Sequence, residues 1–101
     1  DVDTAIRAGE ADAVPSGYRL RAFPNPANPS AIVRYSLPQG GQVVVTVHGL
    51  LGQEVARLVD GHRAAGRHEV TFQGSNLASG AYFVLLRSGP VRLSRKLALL
   101  R

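Results

Sequence analysis

From Pro15 onward, a proline or glycine signal interrupts this sequence about every ten residues. The runs between interruptions are too short for ordinary helices, and most alternate apolar with polar residues as strands do. The clearest are the last two. In Val91–Leu100, one face carries Val91, Leu93, Leu97 and Leu99, interrupted by Arg95, and the other carries Arg92, Ser94 and Lys96. Ala81–Arg87 before it is rich in aromatic and branched residues, and Ser88-Gly89-Pro90 turns one run into the other. The sequence stops one residue after the second run, where a weak, fraying segment is the usual expectation. A strong strand in that place organises the rest of the reading.

Tyr18–Phe23 sets Tyr18, Leu20 and Ala22 against Arg19, Arg21 and Phe23, and reads as the first strand. Pro24, Pro26 and Pro29 follow within six residues, which forbids helix and central strand and restrains Asn25 and Asn28 before their prolines. The expectation is a stiff segment near polyproline II that pairs with nothing. Pro26 and Pro29 also have the spacing of a polyproline ligand, but no basic residues flank them for such a partner.

Ala31–Leu37 points Val33, Tyr35 and Leu37 inward, and Gln42–His48 does the same with Val43, Val45 and Val47. Glu54–Val59 is ambiguous. Leu51, Val55, Leu58 and Val59 also fit one helical face, but its shortness and flanking glycines favour a strand. Asp60–Gly66 reads as a loop, and Arg67–Gln73 alternates His68, Val70 and Phe72 on one face. The expected fold is all-β, a seven-stranded antiparallel immunoglobulin-like sandwich, with Val45, Val70, Tyr82 and Leu97 in one core. Tyr82, just past Leu77-Ala78-Ser79-Gly80, is placed to close that corner with its hydroxyl.

Charge divides the chain. Residues 1–17 hold Asp1, Asp3, Glu10 and Asp12 against Arg7 alone, a net −3, and end in Pro15-Ser16-Gly17. They read as an acidic linker from an upstream domain, with 18–101 the folded domain. The overall charge of +5 invites a nucleic-acid reading, but Arg19, Arg21, Arg34 and Arg67 occupy solvent-facing strand positions without an aromatic platform. No nucleic-acid partner is expected. The absence of cysteine argues only against a disulfide-stapled scaffold. No membrane-spanning run is present, and the chain is expected to be a module of something longer, with any export address upstream.

Enzymatic chemistry has no foothold. His48, His62 and His68 lack ligand spacing, Glu54, Asp60 and Glu69 are scattered, and no phosphate loop or nucleophile elbow occurs. Three Phe, three Tyr and no Trp also weigh against a sugar-binding platform. No catalytic residue, metal or cofactor is expected.

Three stretches in order carry a resemblance: Phe23-Pro24-Asn25-Pro26-Ala27-Asn28-Pro29-Ser30, Leu51-Gly52-Gln53-Glu54-Val55-Ala56-Arg57-Leu58-Val59, and Leu77-Ala78-Ser79-Gly80-Ala81-Tyr82-Phe83. A basic last strand, Arg95-Lys96-Leu97-Ala98-Leu99-Leu100-Arg101, closes the set. Over about residues 18–101 the chain resembles the type A C-terminal sorting domain of the type IX secretion system of Bacteroidetes-like bacteria. The resemblance implies an immunoglobulin-like domain that directs an exported cargo through the outer membrane to the cell surface. Its partners would be the outer-membrane translocon and the sorting and attachment machinery. It gives Pro24, Asn25, Pro26, Asn28, Pro29, Gly52, Glu54, Gly80 and Tyr82 a structural role. Translocon recognition is expected along Arg92, Arg95, Lys96, Leu97, Leu99, Leu100 and Arg101, where edge N–H and C=O groups could pair with a receptor strand. The alternative is a structural or adhesive module retained in a multidomain surface protein. One departure stands out. His48-Gly49 replaces the usual aromatic-Asp pair before the Leu-Gly turn, losing an Asx hydrogen bond, so a looser turn is expected.

Overall fold

The structure, a computed structural model, describes residues 17–100. Among them are seven strands: β1 (Arg19–Phe23), β2 (Ser30–Leu37), β3 (Gly41–His48), β4 (Glu54–Arg63), β5 (Gly66–Gln73), β6 (Gly80–Ser88) and β7 (Val91–Leu99). They form two sheets, β1-β2-β5 and β4-β3-β6-β7, with every strand pair antiparallel. The described residues contain no helix, and Glu54–Val59 is strand. The architecture is the expected immunoglobulin-like sandwich. The acidic-linker reading falls on residues outside the described range, as does Arg101.

Period-2 alternation decides which residues fill the space between the sheets. Leu20, Ala31, Val33, Tyr35, Leu37 and Phe72 come from one sheet. Val43, Val45, Val47, Val59, Tyr82, Val84, Leu86, Leu97 and Leu99 come from the other. Val45, Tyr82 and Leu97 are buried as expected, whereas Val70 is half-buried and packs at the border of the core. It shares β5 with His68, whose ring stacks on Tyr35 with 5.2 Å between centroids. β5 is a sheet edge, so its inward residues are covered on one flank only.

The expected Asp60–Gly66 loop is shorter than its turn residues suggested. β4 continues to Arg63, with Asp60 opposite Val44 and Gly61 opposite Val43. A glycine in a strand is tolerated where its partner strand supplies the hydrogen bonds, and β3 does so here. The register also slips twice, leaving Leu58 and Val55 as extra residues on β4. Such bulges twist an edge strand away from further pairing.

The largest correction concerns Pro24–Pro29. The segment bends at 24–26 and again at 28–29, and Ala27 between them is fully buried and bridged in parallel to Leu99. Ala27 N–H donates to Ala98 C=O at 2.8 Å, and Leu100 N–H donates to Ala27 C=O at 2.8 Å. Proline removes a donor only at its own position. Ala27 has one, and it reaches β7.

Gly74 completes this junction. Its N–H donates to Pro29 C=O at 2.9 Å, and a Cβ there would sit 2.6 Å from Leu99 Cδ1 and 2.8 Å from the Pro29 carbonyl oxygen. Gly74→Ala is therefore expected to cost about 1–3 kcal/mol by overpacking against backbone that cannot yield. Chemical denaturation should show a lower midpoint with an unchanged slope.

Candidate recognition surface

β7 lies at the edge of its sheet, joined to β6 by the two-residue turn Gly89-Pro90. Gly89 has φ +59° at the first central position, where a primed hairpin turn needs the left-handed region. The buried Ser88 hydroxyl donates to Gln42 C=O at 2.9 Å, tying the hairpin to the start of β3.

The structure divides the expected recognition residues. Leu97 and Leu99 are buried in the core and hold the strand rather than display it. Arg92 and Lys96 are exposed on the outer face of the four-stranded sheet, opposite Arg87 and Phe83 of β6. Arg95 shares the inward side with Leu93 and Leu97 yet is exposed, and its guanidinium donates to Ser94 C=O at 2.7 Å. Leu100 is half exposed, with its N–H engaged by Ala27. The basic residues therefore do not form one cluster.

Arg87 and Phe83 are the neighbours of Arg92 and Lys96 that sequence reasoning missed. The alternation Tyr82, Val84, Leu86 implies their outward direction, but only the pairing of β6 with β7 puts them beside Arg92 and Lys96. Phe83 is 37% exposed, an aromatic side chain directly opposite Lys96.

The free edge of β7 is also divided. Beyond the two hydrogen bonds to Ala27, Asn25 clamps the strand with its side chain. Its Oδ1 accepts from Ala98 N–H at 3.0 Å, and its Nδ2 donates to Lys96 C=O at 3.2 Å. These bonds fill the outward groups from Lys96 C=O to Leu100 N–H. Antiparallel alternation puts the N–H and C=O groups of Arg92 and Ser94 on the same outer edge. The C-terminal half of the edge is thus already paired with the Asn-Pro segment.

The remaining motif residues shape turns. Tyr82 O–H donates to Ala78 C=O at 2.6 Å, closing the expected tyrosine corner at Gly80. The β3–β4 turn is closed more firmly than expected, with Gly49 N–H on Gln53 C=O at 2.9 Å and Gly52 N–H on Gly49 C=O at 3.0 Å. Gly52 has φ +88°, which suits no other residue well. His48 adds a bond of a different kind to this turn. Its Nδ1 donates to Gly52 C=O at 3.1 Å, and in the neutral ring Nε2 accepts from the Thr46 hydroxyl at 2.8 Å.

Glu54 takes two hydrogen bonds from Arg57, each 3.1 Å, and Arg57 also reaches Asp60 at 2.8 Å. The Arg57 bonds hold the Glu54 carboxyl below its ordinary value. A depressed carboxyl contributes stability above its unfolded value and loses it as pH falls through the lowered one. An NMR titration should find Glu54 below its ordinary value, and Arg57→Gln should raise it back toward that value.

These features define a class of protein: a β-sandwich that offers a strand edge and a mixed basic face. Among the described residues, no three His, Cys, Asp or Glu side chains are placed to hold a metal. Residues 21–99 match the family of secretion system C-terminal sorting domains, and the chain belongs to it. No match was found among curated proteins. Family membership makes the chain a C-terminal sorting signal for type IX secretion of a cargo protein, bound for the cell surface or for release. The family is non-catalytic, and no helix among the described residues is long and apolar enough to cross a membrane.

Proposed function

We propose that the β6–β7 hairpin is the part of this signal that the secretion machine reads, after the cargo has crossed into the periplasm. Arg92, Arg95, Lys96 and Arg101 would attract an acidic receptor face, while the Arg92–Ser94 edge accepts a receptor strand. Leu97 and Leu99 act indirectly by anchoring the strand in the core. The observation that carries this reading is the pairing of Lys96–Leu100 with Asn25 and Ala27, which rigidifies one half of the edge beside a half that this clamp does not reach.

The test fuses residues 1–101 to the C-terminus of a periplasm-directed reporter in a host with a type IX system. The reporter should reach the surface. Arg92→Glu with Lys96→Glu should lower surface display about tenfold by reversing the attraction, with the melting temperature unchanged. Display undiminished in that variant would rule out the hairpin's basic face as the signal. Appending a short Gly-Ser tail after Arg101 separately asks whether a free terminus is read.

A further inference from the structure

A second feature lies on the three-stranded sheet, away from the proposed β6–β7 recognition hairpin. On the outer face of β1-β2-β5, cross-strand register sets Arg19, Ser36 and Arg67 in one row and Arg21, Arg34 and Glu69 in the next. With His68 they line a cleft of about 610 Å³. Like charges directly opposite one another destabilise a strand pair, yet Arg21 stands directly opposite Arg34. Among the lining residues, Glu69 is the one carboxylate set against four arginines.

That carboxylate is committed. Arg34 Nε donates to Glu69 Oε2 at 2.6 Å, and Arg34 Nη2 forms an ion pair with the same oxygen. Phe23 supplies a second restraint, its ring centroid lying 4.9 Å from Arg34 Cζ and 5.4 Å from Arg21 Cζ. Two guanidiniums are thus held over one ring, and Arg19 extends the positive surface along the same strand. Ser36, 6% exposed, lies between Arg19 and Arg67 in the first row.

We propose that this cleft binds a phosphate-type oxyanion over its Arg19–Arg21–Arg34 side. A carboxylate presents two oxygens, and one arginine meets it, as Arg34 meets Glu69. Several converging guanidiniums instead suit a tetrahedral anion of higher charge and more acceptor oxygens. Nucleic acid fits poorly. Its bases need exposed rings to stack on, and Phe23 is already faced by two arginines. The site is independent of the β6–β7 hairpin, so it stands or falls apart from the sorting mechanism.

Pyrophosphate titrated into the full chain at constant ionic strength tests the proposal by NMR of the arginine Nε–H groups. Saturable shifts are expected at Arg19, Arg21 and Arg34, with Arg87 and Arg92 unmoved. Arg21→Gln should weaken binding about tenfold without changing the melting temperature. Co-sedimentation with phosphatidylcholine vesicles, with and without phosphatidylglycerol, separates the sources of phosphate. Capture by phosphatidylglycerol that Arg21→Gln abolishes assigns the site to a lipid headgroup, and pyrophosphate binding without capture assigns it to soluble phosphate. Absent shifts, or unsaturable shifts equal at Arg92, would overturn the proposal. Tighter binding of an oligoglutamate peptide than of pyrophosphate would also overturn it, by giving the cleft to protein carboxylates.

Discussion

Val45→Asp is expected to abolish the cooperative melt of the domain. Val45 is fully buried at the centre of β3, between Val59 of β4 and Leu86 of β6. A carboxylate there must either ionise without a partner or take up a proton to stay neutral, and both routes penalise the fold. Buried, unpaired charges sit at the extreme of measured effects, above about 4 kcal/mol, a large share of a small domain's total stability. Val44 is the control. It faces the other side of the sheet and is half-buried between Asp60 and Arg87. Because neighbouring strand residues point to opposite faces, Val44→Thr should stay within about 1 kcal/mol of the parent. Equal losses at both positions in a thermal melt would mean that the register of β3 is wrong.

Leu97→Ala should lose about 2–5 kcal/mol, as deletion of a fully buried leucine side chain does. Leu97 pairs with Tyr82 across β6–β7, so the cavity would open beside the tyrosine corner. The prediction bears on the signal as well as on stability. Any loss of export in Leu97→Ala should be matched by a lower melting temperature, whereas loss in the Arg92 and Lys96 charge reversal should not. Urea denaturation and surface display measured on the same variants separate the two. Export lost in Leu97→Ala at unchanged stability would show the leucine being read directly.

The strands were legible because alternation and turn chemistry agree along most of the chain. Val43, Val45 and Val47 announce a buried face on their own, and Ser88-Gly89-Pro90 announces the hairpin. The pairing of the Pro24–Pro29 segment escapes the sequence because each proline lacks only its own N–H and leaves that of Ala27 available. A single bridge through Ala27 has no periodicity to detect, and Asn25 looks from the sequence like an ordinary residue before proline. The edge clamp therefore depends on which strand lies beside the segment, which local patterns do not encode. The arginine cleft was hidden for the same reason. Arg19, Arg34 and Arg67 were each readable as outward, but β1, β2 and β5 are neighbours only by long-range pairing. Their convergence is a property of sheet order. Gly61 shows the converse error: its turn-like dipeptide with Asp60 was overridden by the hydrogen-bond demand of β3.

The Asn25 clamp also sets an order of events in time. Its two hydrogen bonds join residues 71 and 73 positions apart, close to the greatest separation available within the described domain. Contacts of that range form late, since the whole intervening chain must be brought to closure first. During synthesis, or while threading through a pore with the N-terminus leading, β1 to β6 can emerge and begin to associate. The loop after β1 then waits with its partner groups in water until Lys96–Leu100 is free. Completion of the fold thus reports that Lys96–Leu100 have been released.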